Sequence, residues 1–449
     1  MAEIVKAAGL VAGPTATRRE RWAWYLYDFG NSAYAAVVLL AVYSAYFQGQ
    51  VVGGAEGSRL WGISVGIAML IVAITSPILG TIADFSGVKK KFLLFYTVMC
   101  VIFTAGLFFA APGRVAIGMG FFILAEIGYR SAQVFYNGFL PELATPEEMG
   151  RVSGNGWAIG TAGGVICLLL ILPLIVMVEG TFIVRLSLVI TAVFFALSAA
   201  PLFLWLPEKA PKQTLPDGEN YLSLAFKRLW KTIRTARQFR EFIKFMVAFL
   251  IFNDGVIMAL DFAAIIGAVL FGLEQQGLII FVIIVQLTNV VGAYVFGKWV
   301  DSLGGKRSLI ISIVMMLVVV LALYFNQTQV GFFIIGAVAG FAMAGTQSVS
   351  RTMVGMFSPP GKSAEFYGFF AVAGRTSSFI GPTIYGIVAA EAALYYLAHG
   401  QSEVPAEQSG QRLAILSIAA FFVVGLGLLM LVNEARARQS AVEQVVGES

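Results

Sequence analysis

Two stretches, GTIADFSGVKKK at 80–91 and GKWVDSLGGKRS at 297–308, share one pattern: Gly, three residues, Asp, two residues, Gly, one residue, then two bases. Gly80, Asp84, Gly87 and Lys89 thus correspond to Gly297, Asp301, Gly304 and Lys306, with Arg307 closing the second copy. The first glycine lets two helices approach, and the aspartate stands at a helix end. There it can accept hydrogen bonds from a neighbouring helix N-terminus or from an arginine. The second glycine turns the chain. One copy reads equally well as a helix-ending turn; two copies at equivalent places predict a paired gate. A second echo, at a constant offset, matches Gln133, Pro146, Gly154 and Gly160 with Gln347, Pro360, Gly368 and Gly374. Duplicated halves are what a rocking, alternating-access carrier is built from.

Working outward, the 449 residues are 59% hydrophobic and 12% charged, with a mean hydropathy of +0.84. A soluble domain of this size does not carry such a surface, so the chain reads as an integral membrane protein. Apolar runs fall at 24–48, 60–83, 92–111, 115–140, 153–178 and 182–206, then at 242–271, 276–300, 308–326, 330–357, 365–391 and 412–433. Runs of this length, interrupted by Gly and Pro, predict helices and argue against a barrel of alternating ten-residue strands. The expected fold is an all-α membrane protein with twelve transmembrane helices in two pseudo-symmetric six-helix bundles.

Between the halves lies the long polar passage of the chain. Residues 207–241 are read as a linker joining an N-terminal bundle, 1–206, to a C-terminal one, 242–449. Within it Leu222, Phe226, Leu229, Ile233 and Ala236 recur at helical spacing among Lys227, Arg228, Lys231, Arg234, Arg237 and Arg240. This is the pattern of a basic amphipathic helix on an anionic membrane surface, or of a solvated linker helix. Either places it on the cytoplasmic side, and assigning both termini there leaves only Arg59, Arg114, Arg185 and Arg412 outside. Arg130, Arg351 and Arg375 then fall within spans.

Other features narrow the function. Cys100 and Cys167 both lie in spans and read as inert thiols; the single histidine, His399, lies in a polar connection. No metal site, cofactor, nucleotide-binding loop or catalytic triad is expected, and the chain is not read as an enzyme. The net charge of +5 reflects cytoplasmic Lys and Arg, not nucleic-acid binding. The N-terminus lacks the apolar core of a signal peptide. Trp22, Trp24, Tyr25 and Tyr27 read as an interfacial aromatic belt.

The paired loops resemble the signature loop of the major facilitator superfamily, with Phe85 and Ser302 where that signature often carries Arg. WYLYDFGNSAYA (24–35), VFYNGFLPEL (134–143) with GRVSGNGWAIG (150–160), FNDGVIMALDFAAIIGA (252–268), and QSVSRTMVGMFSPPGKSAEFYGFFAVAGR (347–375) followed by Gly381-Pro382 together resemble the vacuole-effluxer-like branch. That branch groups fungal autophagy-related vacuolar amino-acid effluxers with bacterial permeases. The resemblance implies transport of a small solute across a bacterial inner membrane by a monomer whose other partners are lipids. In this superfamily the first, fourth, seventh and tenth helices line the central cavity.

Those helices carry most of the buried ionisable groups, and a charge at bilayer depth defaults to a pathway role. Asp28 and Asn31 lie on the first, Glu126, Arg130 and Asn137 on the fourth, Asp254 and Asp261 on the seventh, Gln347 and Arg351 on the tenth. Glu126 and Arg130 share one helix face by their i,i+4 spacing. Arg130 or Arg351 suits a carboxylate, and Asp28, Asp254 or Asp261 an amine or a coupling proton. Arg351 and Arg375 also suit an inner gate. Amino acids lead as substrates. The alternatives are export of amphipathic compounds such as a lysolipid or drug, and a receptor-like protein that transports nothing.

Overall fold

The computed structural model describes residues 16–208, 227 and 239–447, apart from the single positions 53, 146, 179, 274 and 361. The expected amphipathic helix of the linker lies outside the described residues.

Helix α1 (Arg18–Tyr34) begins on a capping box, Thr17 with Glu20, and runs into a π-helical stretch, Ala35–Ala41. A single α-turn, Tyr43–Tyr46, and a second π stretch, Phe47–Val52, complete it. The first half continues with α2 (Gly54–Ser86), α3 (Lys89–Gly106), α4 (Val115–Gly138), α5 (Met149–Met177) and α6 (Thr181–Trp205). In the second half α7 (Arg240–Asp261) breaks at Phe262 and resumes over Ala263–Phe271. There follow α8 (Gln275–Leu303), α9 (Gly305–Phe325), α10 (Gln329–Phe357), α11 (Ser363–Ala398), α12 (Glu403–Met430) and a C-terminal α13 (Glu434–Gly447).

Ten helices among the described residues are long and apolar enough to cross a bilayer. The Ile63–Ser86 segment, at 24 residues, spans about 36 Å and so exceeds a hydrocarbon core of about 30 Å. α1 is interrupted by its π turns, and the apolar part of α11 is the shorter Thr383–Ala398. Pro77, Pro173 and Pro201 all lie inside helices, as bilayer helices tolerate.

Each half packs by the same scheme. α1 lies on α6, α2 on α4, α3 on α4 and α3 on α6; six helices later α7 lies on α12, α8 on α10, α9 on α10 and α9 on α12. The duplication read from the loops therefore extends to the packing. Against α5, α1 packs through glycines one turn apart. A methyl group at Gly156 would lie 2.4 Å from the Trp24 ring, at Gly160 2.8 Å from the Asp28 carboxyl, and at Gly163 2.1 Å from the Phe29 carbonyl oxygen. Small residues at such spacing let two backbones touch where lipid supplies no hydrophobic drive.

By contacts the chain divides into two compact units, Met1–Thr235 with Ser358–Val372 and Val442–Ser449, and Ala236–Phe357 with Ala373–Ala441. The first turns of α11 thus belong with the first unit.

The aromatic belt is corrected. Trp22 is exposed, but Trp24, Tyr25 and Tyr27 are buried. Trp24 stacks on Tyr136 at 4.5 Å and donates its indole N–H to the Tyr136 carbonyl, and Tyr27 stacks on the same ring at 5.0 Å. Trp24 and Tyr27 turn inward because α1 packs an aromatic face on α4, while Tyr25 is buried beside Trp24 and Asn155. Both cysteines are free and buried.

Candidate functional site

The first loop is packed and largely buried. Gly87, at φ 60°, makes the turn between α2 and α3. Asp84 and Lys89 are both buried, with Asp84 Oδ1 3.3 Å from Lys89 Nζ. Lys89 also donates to Glu142 Oε1 at 2.5 Å and to Ser363 Oγ at 3.0 Å. Asp84 Oδ2 accepts the Glu365 N–H at 2.9 Å, so the carboxylate caps the start of α11. Close approach here requires glycine: a methyl at Gly80 would lie 2.5 Å from the Ala364 carbonyl oxygen, and one at Gly368 2.9 Å from Pro77 Cα. With Phe85 where the superfamily signature has Arg, the cation comes from Lys89.

The second loop has the same sequence pattern in other surroundings. Gly304, at φ 89°, makes the turn, but Asp301 and Arg307 are exposed. Gly297 is buried. The carboxylate at the start of α9 is Glu434, which accepts from Gly305 N–H at 3.2 Å and Lys306 N–H at 2.8 Å. Lys306 Nζ donates to the Met430 and Val432 carbonyls. The first half has the counterpart: Glu208 accepts the Lys90 N–H at 2.8 Å, and Lys90 Nζ donates to the Leu206 carbonyl. The sequence reading missed this repeated clasp. Its signal is an acid a few residues past the end of the sixth and twelfth helices.

Inside the first unit, Tyr27 meets Tyr136 and Tyr34 meets Tyr129 at 4.6 Å, so α1 and α4 run antiparallel in a register that places Asn31 level with Ala132. Along this seam Glu126 is fully buried and paired with Arg130 Nε at 2.5 Å. Among the described residues Asn31 Oδ1 is buried without a hydrogen-bond partner, and Glu126 Oε2 and the Tyr34 hydroxyl have none beyond their approach to each other. Tyr34 lies beside Glu126 and Arg130, and the Arg130 guanidinium lies 4.9 Å from the Tyr129 ring. Arg130 keeps some exposure, and among the described residues its hydrogen bond is the one from Nε to Glu126. Asn137 Oδ1 is likewise buried and unpartnered. Tyr34, which sequence reasoning passed over, stands where α1 turns π-helical, a backbone form frequent at functional sites. Asp28 is buried, on the side of α1 that faces Gly160.

In the second unit Asn253 Oδ1 accepts from Gln347 Nε2 at 3.0 Å. Asp254 is fully buried and accepts the Gly381 N–H at 3.1 Å. Asp261 is exposed, at the break in α7, where Phe262 stacks on Tyr385 at 3.9 Å. Arg351 is buried on α10. The Arg375 side chain lies outside the described residues.

A duplicated, all-helical bundle with buried charge along its helices narrows the comparison to membrane carriers. The family model described as vacuole effluxer Atg22 like matches residues 60–442. The chain belongs to that family. An uncharacterized MFS-type transporter, YxiO of Bacillus subtilis, is 28% identical over 439 residues, covering 95% of this chain and 98% of that one. Autophagy-related protein 22-1 of Penicillium rubens is 26% identical over 315 residues, 65% of this chain and half of the fungal protein. Among solved structures, the proton:xylose symporter XylE superposes with a TM-score of 0.72 over 95% of this chain and 98% of its own, at 16% identity. The human organic anion transporter MFSD10 gives 0.70 over 92% and 99%, at 13% identity. This Atg22-like protein is a multi-pass membrane transporter of the major facilitator type.

Proposed function

We propose that this Atg22-like transporter moves a small zwitterionic solute, amino acids first, by alternating access coupled to protons. The observation that carries the reading is the Glu126–Arg130 pair. Among the described residues it leaves Glu126 Oε2 with only Tyr34 beside it and the terminal nitrogens of Arg130 without a hydrogen bond, one group of each sign on a single helix face. An α-amino acid presents the matching ammonium and carboxylate on neighbouring atoms. Arg130 holds the carboxylate in a fork and Glu126, beside Tyr34, accepts from the ammonium. The contact of Asp84 and Lys89 with the start of α11 serves as the inner gate and opens in each cycle. The protein works as a monomer in a bacterial inner membrane with both termini cytoplasmic. Efflux is its direction, in keeping with the family's description.

The test is uptake of a panel of radiolabelled amino acids into proteoliposomes, with and without an inward proton gradient. Glu126→Gln and Arg130→Gln are each expected to lower uptake of a transported amino acid at least tenfold. A lost charge-assisted hydrogen bond is worth about 1.5–3 kcal/mol, and a factor of ten corresponds to about 1.4 kcal/mol. No flux of any amino acid under either condition overturns the substrate class and brings amphipathic compounds forward.

A further inference from the structure

The buried acids of this protein are not alike. Asp84 faces Lys89 and Glu126 faces Arg130. Asp254, on α7, has Oδ1 on the Gly381 N–H and Oδ2 buried with no hydrogen-bond partner. Among the described residues that N–H is its one hydrogen-bonding or electrostatic partner.

Among the described residues no charged or titratable group on the surrounding elements bonds to Asp254, and the Arg375 side chain on α11 lies outside the described residues. On α7 itself Glu241 holds Lys244 and the Asn433 N–H, while Asp261, two turns on, is exposed. On α10 Arg351 is buried and makes no bond to Asp254. On α11 the Tyr385 hydroxyl donates to Gln411. On α12 Arg412 binds the Tyr324 and Asn326 carbonyls, and Glu403 and Glu407 are exposed.

A carboxylate without a counter-charge at bilayer depth is far costlier than the neutral acid, which needs only hydrogen bonds. The carboxyl also rests at a weak point of α11. Position 381 must be glycine, because a methyl there would lie 2.8 Å from Met258 Sδ and 3.1 Å from Asp254 Cβ. Pro382 follows, lacks an N–H and interrupts the helical ladder one turn back. The neighbouring Asn253 ties the same turn of α7 to Gln347 on α10.

We propose that Asp254 is a proton-binding site that carries the coupling proton, and that its protonation adjusts the α7–α11 contact at Gly381–Pro382. The coupling role rests on the transport reading above. The step forms one O–H bond on the carboxyl with a proton from water and breaks it again on release, with no other reactant.

The experiment is infrared difference spectroscopy of the full chain in lipid nanodiscs, titrated around neutral pH without substrate. The expected result is a protonated-carboxyl C=O band in the wild type that disappears in Asp254→Asn and persists in Glu126→Gln and Arg375→Gln. Identical spectra for wild type and Asp254→Asn overturn the site. A band seen only in Arg375→Gln also overturns it, because Asp254 is then the ionised counter-charge of Arg375. In proteoliposomes, Asp254→Asn is expected to accumulate substrate no better with a proton gradient than without one; retained gradient-driven accumulation overturns the coupling role. Because the band is read without substrate, a wild type that moves no amino acid sinks the transport reading separately.

Discussion

The loops after α2 and after α8 carry one sequence pattern and meet different surroundings. Asp84 is buried against Lys89 and the start of α11, whereas Asp301 is exposed and Glu434 holds the start of α9. In both, glycine at positive φ turns the chain and a lysine ties the next helix to the end of the sixth in its half, Lys90 in the first and Lys306, one motif position earlier, in the second. The difference teaches that the motif specifies a turn and a clasp, while the partner of its aspartate is set by what packs over it.

Removing a charge from each loop separates the halves most sharply. Lys89→Met leaves Asp84 and Glu142 without their buried cation and is expected to lower stability by about 3–5 kcal/mol. Asp301→Asn, at an exposed site, is expected to change it by less than about 1 kcal/mol. Thermal unfolding of both variants in the same detergent checks this; equal losses would erase the distinction.

Close packing gives the next effect. Gly80→Ala drives a methyl into the Ala364 carbonyl, so about 1–3 kcal/mol is expected. Gly66→Ala, whose methyl meets nothing within 4 Å, is the control and is expected to be neutral. Comparable denaturant midpoints for the pair would show that α2 does not depend on that approach.

The clasps are the shared part, so their variants should agree. Glu208→Gln and Glu434→Gln each weaken a carboxylate at a helix start, with about 0.5–2 kcal/mol expected for either. Hydrogen exchange at the first turns of α3 and α9 would report it.

The smallest effect is a pH slope. Burial pushes the Glu208 carboxyl up from its ordinary value, only partly offset by the Lys90 N–H. The fold therefore binds this proton more tightly than the unfolded chain does. The contribution is present at low pH and declines as pH rises through the folded value. Glu208→Gln should flatten that decline in unfolding midpoints measured between pH 4 and 7.

Much of the fold was legible because apolar length and Pro/Gly punctuation are local. The predicted run at 182–206 meets α6 at Thr181–Trp205, and 330–357 meets α10 at Gln329–Phe357. The i,i+4 spacing of Glu126 and Arg130 likewise sufficed to bring them together. The expected belt failed at Trp24 and Tyr27 because an aromatic near a span end suits an interface and a helix seam equally. Only α4, with Tyr136, decides between them.

Local chemistry in the sequence therefore determined the helices, the duplication and the membrane character, since each depends on neighbours within a few turns, but not the π turns of the first helix or the break of the seventh at Phe262. Tertiary structure alone decided that Lys89 serves Asp84, that Glu208 and Glu434 repeat a clasp, and that Asp254 lacks a described counter-charge. Those outcomes depend on groups far apart in the chain that share one low-dielectric place, where a missing partner matters most.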